Sequence, residues 1–233
     1  FEESLKLKSK NQIIPKKIHQ IWIGPKKLPE HYKKWMETWK IFNPEWEYFL
    51  WDEEKIKKIN LINKSAFNST TNQGSKSDIA RYEILNKFGG IYLDTDFQCL
   101  KSIPDSLLTF EFVSCIVFDF SPVLANGMIM SKPNSDFLNT IINSIYCPKN
   151  KNNTYEIFSS SGPYAFTDSY FSLNEEVQKK GLILPSDYFY PFPNFLISSK
   201  SKNYEDFITK KSIGLHHWEM SWMKKNIFVR IIK

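Results

Sequence analysis

Two aspartates one residue apart, Asp94 and Asp96, follow the apolar run Ile91-Tyr92-Leu93. Carboxylates released together from the end of a buried strand form a hard oxygen site suited to Mg²⁺ or Mn²⁺. Such ions are commonly completed by substrate phosphates, so the D-x-D pair points to a diphosphate ligand. Upstream, Asp78 and Arg81 stand three residues apart, which puts them on one face of a helix. Of the 31 basic side chains only Arg81 and Arg230 are arginines. A guanidinium where lysine is the habitual cation suggests a fixed, planar contact with a carboxylate. A plain ion pair to Asp78 is the simpler reading of it.

The elements around these residues must bring them together. Ile79, Tyr82, Ile84, Leu85 and Phe88 recur at roughly helical spacing, with Ser77 or Asp78 as the expected cap and Gly89-Gly90 as the stop. Ile91–Leu93 then reads as a short strand, and ligands of open α/β sheets bind at such carboxyl ends. Before this stretch, Lys17–Ile23 reads as a strand closed by Gly24-Pro25. Tyr32, Trp35, Met36, Trp39 and Phe42 then mark an amphipathic helix, and Trp46, Tyr48 and Leu50 a second strand. Residues 60–76 are polar and read as a loop or a frayed helix at the mouth of the site. Beyond it, Phe112–Phe118 and Val123–Met130 read as strands, Phe137–Ile145 as a helix, and Gly162-Pro163 opens a further helical stretch. From Leu182 the chain is Pro-punctuated and strand-like, with Ile213–Leu215 a last strand. The alternation predicts an α/β fold with helices on both faces of a sheet, followed by a more irregular, β-rich half.

Ser77-Asp78-x-x-Arg81-Tyr82 with Gly89-Gly90-Ile91-Tyr92-Leu93-Asp94-x-Asp96 resembles the D-x-D region of the family 32 glycosyltransferases. That family includes initiating α-mannosyltransferases and capsular-polysaccharide transferases, and the bacterial glucosylating toxins carry a similar segment. The resemblance extends to Ile14-Pro15-Lys16-Lys17-Ile18-His19-Gln20-Ile21-Trp22-Ile23-Gly24 and to His216-His217-Trp218-x-x-Ser221-Trp222. Three blocks in one order are more specific than any one of them. The resemblance implies a GT-A fold, a Rossmann-like nucleotide half fused to an acceptor half. It also implies transfer of a sugar from a nucleotide-sugar donor, with retention of anomeric configuration, to a glycan or a protein- or lipid-linked hydroxyl. UDP-sugars are favoured and GDP-mannose stays open.

The resemblance also implies roles. Asp96 would ligate Mn²⁺ (or Mg²⁺), Asp94 would touch the donor and hold a metal-bound water, and His217 would complete the metal sphere, with His216 the alternative. Asp78 and Arg81 would bind the donor sugar. Ser77 and Tyr92 would lie along the nucleotide, Ile21 and Trp22 would form the nucleoside pocket, Asn126 would line the sugar site, and Ser221 and Trp222 would close over the diphosphate.

With 42% hydrophobic and 16% aromatic residues, the 233-residue chain has material for a core and is expected to form one domain over residues 14–233 behind a loose arm at 1–13. The formal charge of +6 fits an anionic ligand, but the lysines are dispersed, and nucleic-acid binding has no aromatic platform to support it. Cys99, Cys115 and Cys147 lack metal spacing and read as reduced thiols, which favours a cytoplasmic setting. The secretory-pathway lumen stays open if an anchor preceded Phe1, and membrane association is expected only through such a segment. Two rival readings remain. One is a non-catalytic nucleotide-sugar-binding module on the same fold. The other is a D-x-D phosphatase, disfavoured because Gln98 stands where Thr or Val is needed.

Overall fold

The computed structural model describes residues 11–148, 153–197 and 203–219. Its centre is a six-stranded mixed sheet in the order β2-β1-β3-β6-β5-β7. These strands are β1 (Lys17–Ile21), β2 (Glu47–Trp51), β3 (Gly90–Leu93), β5 (Phe112–Phe118), β6 (Ser121–Ser131) and β7 (Leu182–Leu184). β1 is parallel to both β2 and β3, and β5 is parallel to β7. β6 runs antiparallel between β3 and β5. A second, two-stranded antiparallel sheet joins β4 (Phe97–Cys99) to β8 (Gly214–His216).

Period-two alternation splits the core. Ile91 and Leu93 of β3, with Met128 and Met130 of β6, enter one apolar cluster with Trp39 and Phe97. Tyr92 and Ile129 enter the other, with Tyr82, Ile84 and Phe137. Both faces of the sheet are therefore covered, as the continuous apolar reading of β3 requires. The helix α1 (Glu30–Phe42) buries Tyr32, Met36 and Trp39 at the expected spacing. The Trp39 indole N–H donates to Phe97 O at 2.9 Å, tying α1 to the small sheet.

The polar stretch 60–76 takes the helical of its two readings, and two other expectations are corrected. α2 (Glu53–Lys58) precedes it, α3 (Lys64–Ser69) lies within it, and α4 (Gln73–Phe88) begins before its end. The cap of α4 is Asn72, whose side chain accepts the Ser75 N–H, so neither Ser77 nor Asp78 caps it. The second half is also more helical than expected, with α5 (Asp136–Ser144), α6 (Thr154–Ser160), α7 (Pro163–Phe171) and α8 (Glu175–Gln178). Asn153 and Asn174 cap α6 and α8 through their carboxamide oxygens.

The break between α4 and β3 positions the site. Gly89 (φ 61°) and Gly90 (φ 107°) occupy positive φ, and a Cβ on Gly90 would lie 2.4 Å from Lys17 O. Only glycine permits that turn beside β1. His19 secures it from below. Its Nδ1 accepts the Trp51 indole N–H at 3.1 Å, which leaves Nε2 carrying the proton donated to Gly89 O at 2.9 Å. Burial lowers the His19 pKa to about 4, so the ring stays neutral in this role.

Candidate functional site

Turning from α4 into β3 brings two carboxylates, Asp78 and Asp94, around one guanidinium. Arg81 lies 3.0 Å from Asp78 Oδ1 and 3.3 Å from Asp94 Oδ1. It also donates to Asn126 O at 2.6 Å and to Ser77 O at 3.2 Å. Its plane sits 4.5 Å from the Tyr92 ring, a cation–π contact. Burial opposes the Arg81 charge, but Asp94, Tyr92 and Asp78 outweigh it and push the pKa up. Arg81 is thus an internal cation that holds the acidic groups of the site in place. The ion pair to Asp78 that the sequence allowed is present, and a second one to Asp94 accompanies it.

Asp78 is buried, and Asn126 donates to its Oδ1 at 2.9 Å. Burial raises its pKa to about 7, with Arg81 lowering and Asp94 raising the result. Tyr92 was expected along the nucleotide. It is almost fully buried beneath Arg81, and its hydroxyl donates to Asp94 Oδ1 at 2.7 Å. Its contacts therefore fix the first aspartate of the pair. Gln20 reaches up from β1 to donate to Asp94 O at 3.0 Å, and Tyr48 in turn donates to Gln20 Oε1.

The histidine assignment changes. His216 Nε2 lies 3.2 Å from Asp96 Oδ1 and 3.8 Å from Asp94 Oδ2. His217, one residue on, faces the other way. It stacks on Trp35 at 3.8 Å between ring centroids and meets Gln98 Oε1 at 3.1 Å. Register explains this: β8 pairs His216 with Phe97 on the buried face, and the next side chain must point to the opposite face. Burial lowers His217 to about 4. For His216 burial also opposes the charge, but Asp96 and Asp94 outweigh it and raise the pKa to about 9. Burial alone would raise Asp96, yet His216 and the Glu219 N–H, 2.8 Å from Oδ2, hold it below the ordinary carboxylate range.

Asp94, Asp96 and His216 each offer a ligand atom within 4.8 Å of the others. Neither His216 ring nitrogen is aligned for a hydrogen bond among the described residues, although the ring is buried. Two carboxylates and an imidazole, which would give up its Nε2 proton to a cation, suit Mn²⁺, and this donor set fits the implied metal. The Trp218 indole closes over His216 edge-on, 4.2 Å between centroids, and donates to Phe192 O at 2.7 Å. Trp218 holds φ at 56°, a conformation rarely taken by a bulky residue and often found at functional sites.

These groups floor a cavity of about 430 Å³. Ile21, Trp22 and Ile23 form one wall beside the α4 N-terminus at residues 72–74, with Ser77 further along. Phe158 and Pro163 also line it, as does Trp218, which lies against His216. Trp22 is held by its indole N–H, which donates to Lys26 O at 2.8 Å, and by the edge of Tyr32 at 5.4 Å. Asn126 is both a lining residue and a partner of Asp78. Ser221 and Trp222 lie outside the described residues. The sequence reading placed residues 72–74 at the mouth of the site as part of the polar stretch, but gave no role to Trp218 or Phe158. Of those two only Trp218 carried a signal, its place in the His-His-Trp block.

Fold and site together define a GT-A glycosyltransferase architecture. Among solved structures, the catalytic domain of Clostridium novyi alpha-toxin superposes with TM-score 0.54 at 12% identity, covering 100% of this chain and 84% of that one. A UDP-bound glycosyltransferase domain of the YGT toxin gives 0.51 at 12% identity, with 75% and 80% covered. Residues 29–113 match the family described as the glycosyltransferase sugar-binding region containing the DXD motif. A glycosyltransferase of Acanthamoeba polyphaga mimivirus is 31% identical over 164 residues, 67% of this chain and 64% of the relative. Inositol phosphoceramide mannosyltransferase 1 of Schizosaccharomyces pombe is 28% identical over 202 residues, 79% of this chain and 60% of the relative. Over residues 29–113 the chain thus matches this DXD-containing glycosyltransferase family. It spans a little under two thirds of the length of these two relatives.

Proposed function

We propose that the protein transfers a hexose from a nucleotide-sugar donor to a hydroxyl acceptor, with a divalent cation, Mn²⁺ or Mg²⁺, at Asp94, Asp96 and His216. The observation that carries this reading is the shared cavity. The nucleoside wall, the sugar-facing Asp78–Asn126 pair and the metal ligands all open into one hollow sized for a nucleotide sugar.

Breaking the bond from the anomeric carbon to the diphosphate leaves charge on the phosphate oxygens, and a bound cation supplies its neutralisation. The chain's own residues do the rest. Trp22 stacks on the base, and Ile21 and Ile23 flank it. Asp78, its pKa raised by burial, hydrogen-bonds a sugar hydroxyl, while Asn126 holds it in place. Arg81 and Tyr92 lock Asp94 in the rotamer that faces His216. Trp218 covers the metal end and excludes water that would hydrolyse the donor. No carboxylate stands alone opposite the D-x-D pair as a nucleophile among the described residues. That agrees with front-face attack and retention of configuration, the leaving phosphate taking the acceptor proton.

UDP is the preferred nucleotide, supported by the UDP-bound state named for one structural neighbour. The S. pombe relative is named for a mannosylated ceramide lipid, so a lipid-linked hydroxyl is the preferred acceptor class. A screen of UDP-glucose, UDP-galactose, UDP-N-acetylglucosamine and GDP-mannose with Mn²⁺ tests the proposal. Metal-dependent nucleotide release supports a transferase. Tight binding without turnover would make the chain a binding module, and phosphate release from monoesters would make it a phosphatase.

A further inference from the structure

Tyr92 and Tyr82 place their hydroxyls in the hydrogen-bond network of the site, Tyr92 donating to Asp94 Oδ1 at 2.7 Å and Tyr82 to Ser161 O at 2.8 Å. Tyr190 differs. It is 3% accessible, and its hydroxyl oxygen is buried with no hydrogen-bond partner among the described residues. A buried hydroxyl left unpaired is rare in a folded protein and calls for a reason. Packing does not supply one. The ring belongs to the same apolar cluster as Phe97 and Phe189, where a phenyl ring would serve equally, so the oxygen is the part of Tyr190 that the core leaves unexplained.

The position of that oxygen is set by its surroundings. The Tyr190 N–H donates to Ser186 O at 2.7 Å, which closes the turn at Ser186–Tyr188, and Pro191 follows. The ring meets Phe97 edge-on at 5.3 Å and lies 5.4 Å from both the His216 and the Trp218 rings. A Cβ on Gly127 of β6 would lie 2.6 Å from Asp94 Oδ2 and 3.0 Å from the Tyr190 hydroxyl. Both oxygens therefore face one gap, which exists because Gly127 has no side chain. Asp94 Oδ1 is already engaged by the Tyr92 hydroxyl and by Arg81 at 3.3 Å. Asp94 Oδ2 has His216 Nε2 at 3.8 Å on one side and the gap on the other. Burial first, and then the Asp94 charge, push the Tyr190 pKa well above its ordinary 10, so the group facing Oδ2 keeps its proton and can donate it.

We propose that Tyr190 is a positioning residue of the cation site, its hydroxyl the donor that holds Asp94 Oδ2 in the direction a bound cation needs. A carboxylate oxygen carries two lone pairs. One serves the cation beside Asp96 and His216, and the other, on the Gly127 side, accepts the tyrosine proton. The outer partners of a ligating carboxylate set its orientation, and their loss weakens metal binding even though they never touch the metal. Tyr92 and Arg81 do this for Oδ1, and Tyr190 does it for Oδ2. The inference rests on the cation reading above and adds to it a residue that contacts neither cation nor donor. Because the fold itself gives the hydroxyl no partner, removing it separates metal binding from stability.

The test is Mn²⁺ binding to nucleotide-free wild type and Tyr190→Phe, followed by the Mn²⁺ spin-resonance signal, with thermal unfolding of both proteins in EDTA. Tyr190→Phe should unfold within about 2 °C of the wild type in EDTA and bind Mn²⁺ about tenfold more weakly or worse. Donor hydrolysis should show the same split. The Mn²⁺ concentration for half-maximal turnover should rise about tenfold, with turnover at saturating Mn²⁺ within about threefold of the wild type. Equal Mn²⁺ affinity in the two proteins overturns the inference and leaves the cation site standing. A melting temperature lowered beyond that margin in EDTA overturns it as well, because the hydroxyl would then serve the fold. Absence of Mn²⁺ binding by the wild type would sink the cation reading and this inference with it.

Discussion

Gly127→Ala is the substitution that most sharply separates site geometry from fold. Gly127 sits in β6 beside Asp94, and its carbonyl accepts the Asp94 N–H at 2.9 Å. Its backbone is not among the glycines at positive φ, so alanine meets no conformational penalty there. The added methyl would, however, lie 2.6 Å from Asp94 Oδ2 and 3.0 Å from the Tyr190 hydroxyl. Ordinary contact begins at 3.4 Å, so the carboxylate must retreat by about 0.8 Å. That retreat moves Asp94 off the Tyr92 hydroxyl and away from His216 together. Loss of one hydrogen bond to a charged group costs about 1.5–3 kcal/mol of stability. A misplacement near 1 Å at the reacting centre costs about a hundredfold in turnover. Thermal unfolding and donor hydrolysis measured on the same preparation should show a folded protein with a melting temperature lowered by about 3–12 °C, turnover reduced about a hundredfold, and a raised Mn²⁺ requirement. Wild-type turnover at an unchanged Mn²⁺ requirement would refute the claim that Asp94 Oδ2 belongs to the metal set.

Other outcomes follow from the same coordinates. His216→Ala should weaken Mn²⁺ binding by a factor of ten or more, followed by the Mn²⁺ spin-resonance signal, whereas His217→Ala should leave it within about threefold. The reverse order would restore His217 as the ligand. His19 sets an acid limit on stability. Its folded pKa of about 4 lies below the ordinary 6.5, so its contribution is complete above pH 6.5 and is lost as pH falls toward 4. Over those 2.5 units the loss amounts to about 3 kcal/mol, and denaturant melts of His19→Gln should fall less steeply than wild type across that window. An equal slope in both proteins would remove His19 from the account.

Some of this was legible in the residues and some was not. The α4–Gly-Gly–β3 unit was readable because Ile79, Ile84 and Leu85 keep helical spacing and the two glycines have a single backbone purpose. The start of α4 was hidden for a physical reason. Its first turns bury Gly74, Ser75, Asp78, Arg81 and Glu83, polar or small groups that face the site and its supports. The apolar stripe that marks an ordinary helix is therefore absent there. The choice between His216 and His217 depended on the register of β8 against β4, a pairing across more than a hundred residues that no local pattern encodes. The contacts of Tyr92 with Arg81 and the Asp94 carboxylate were not legible either, since they arise only when α4 and β3 are packed. The helices α6 and α8 are short and begin at asparagine caps in a polar stretch, where periodicity has too few residues to register.

The claim beneath all of this is that a cation held by Asp96 and its neighbours grips a nucleoside diphosphate. Calorimetric titration of UDP into wild type and Asp96→Asn, each with Mn²⁺ and with EDTA, addresses it directly. Mn²⁺ should tighten UDP binding at least tenfold in the wild type and leave the variant unchanged. Equal UDP affinity in all four titrations would contradict it.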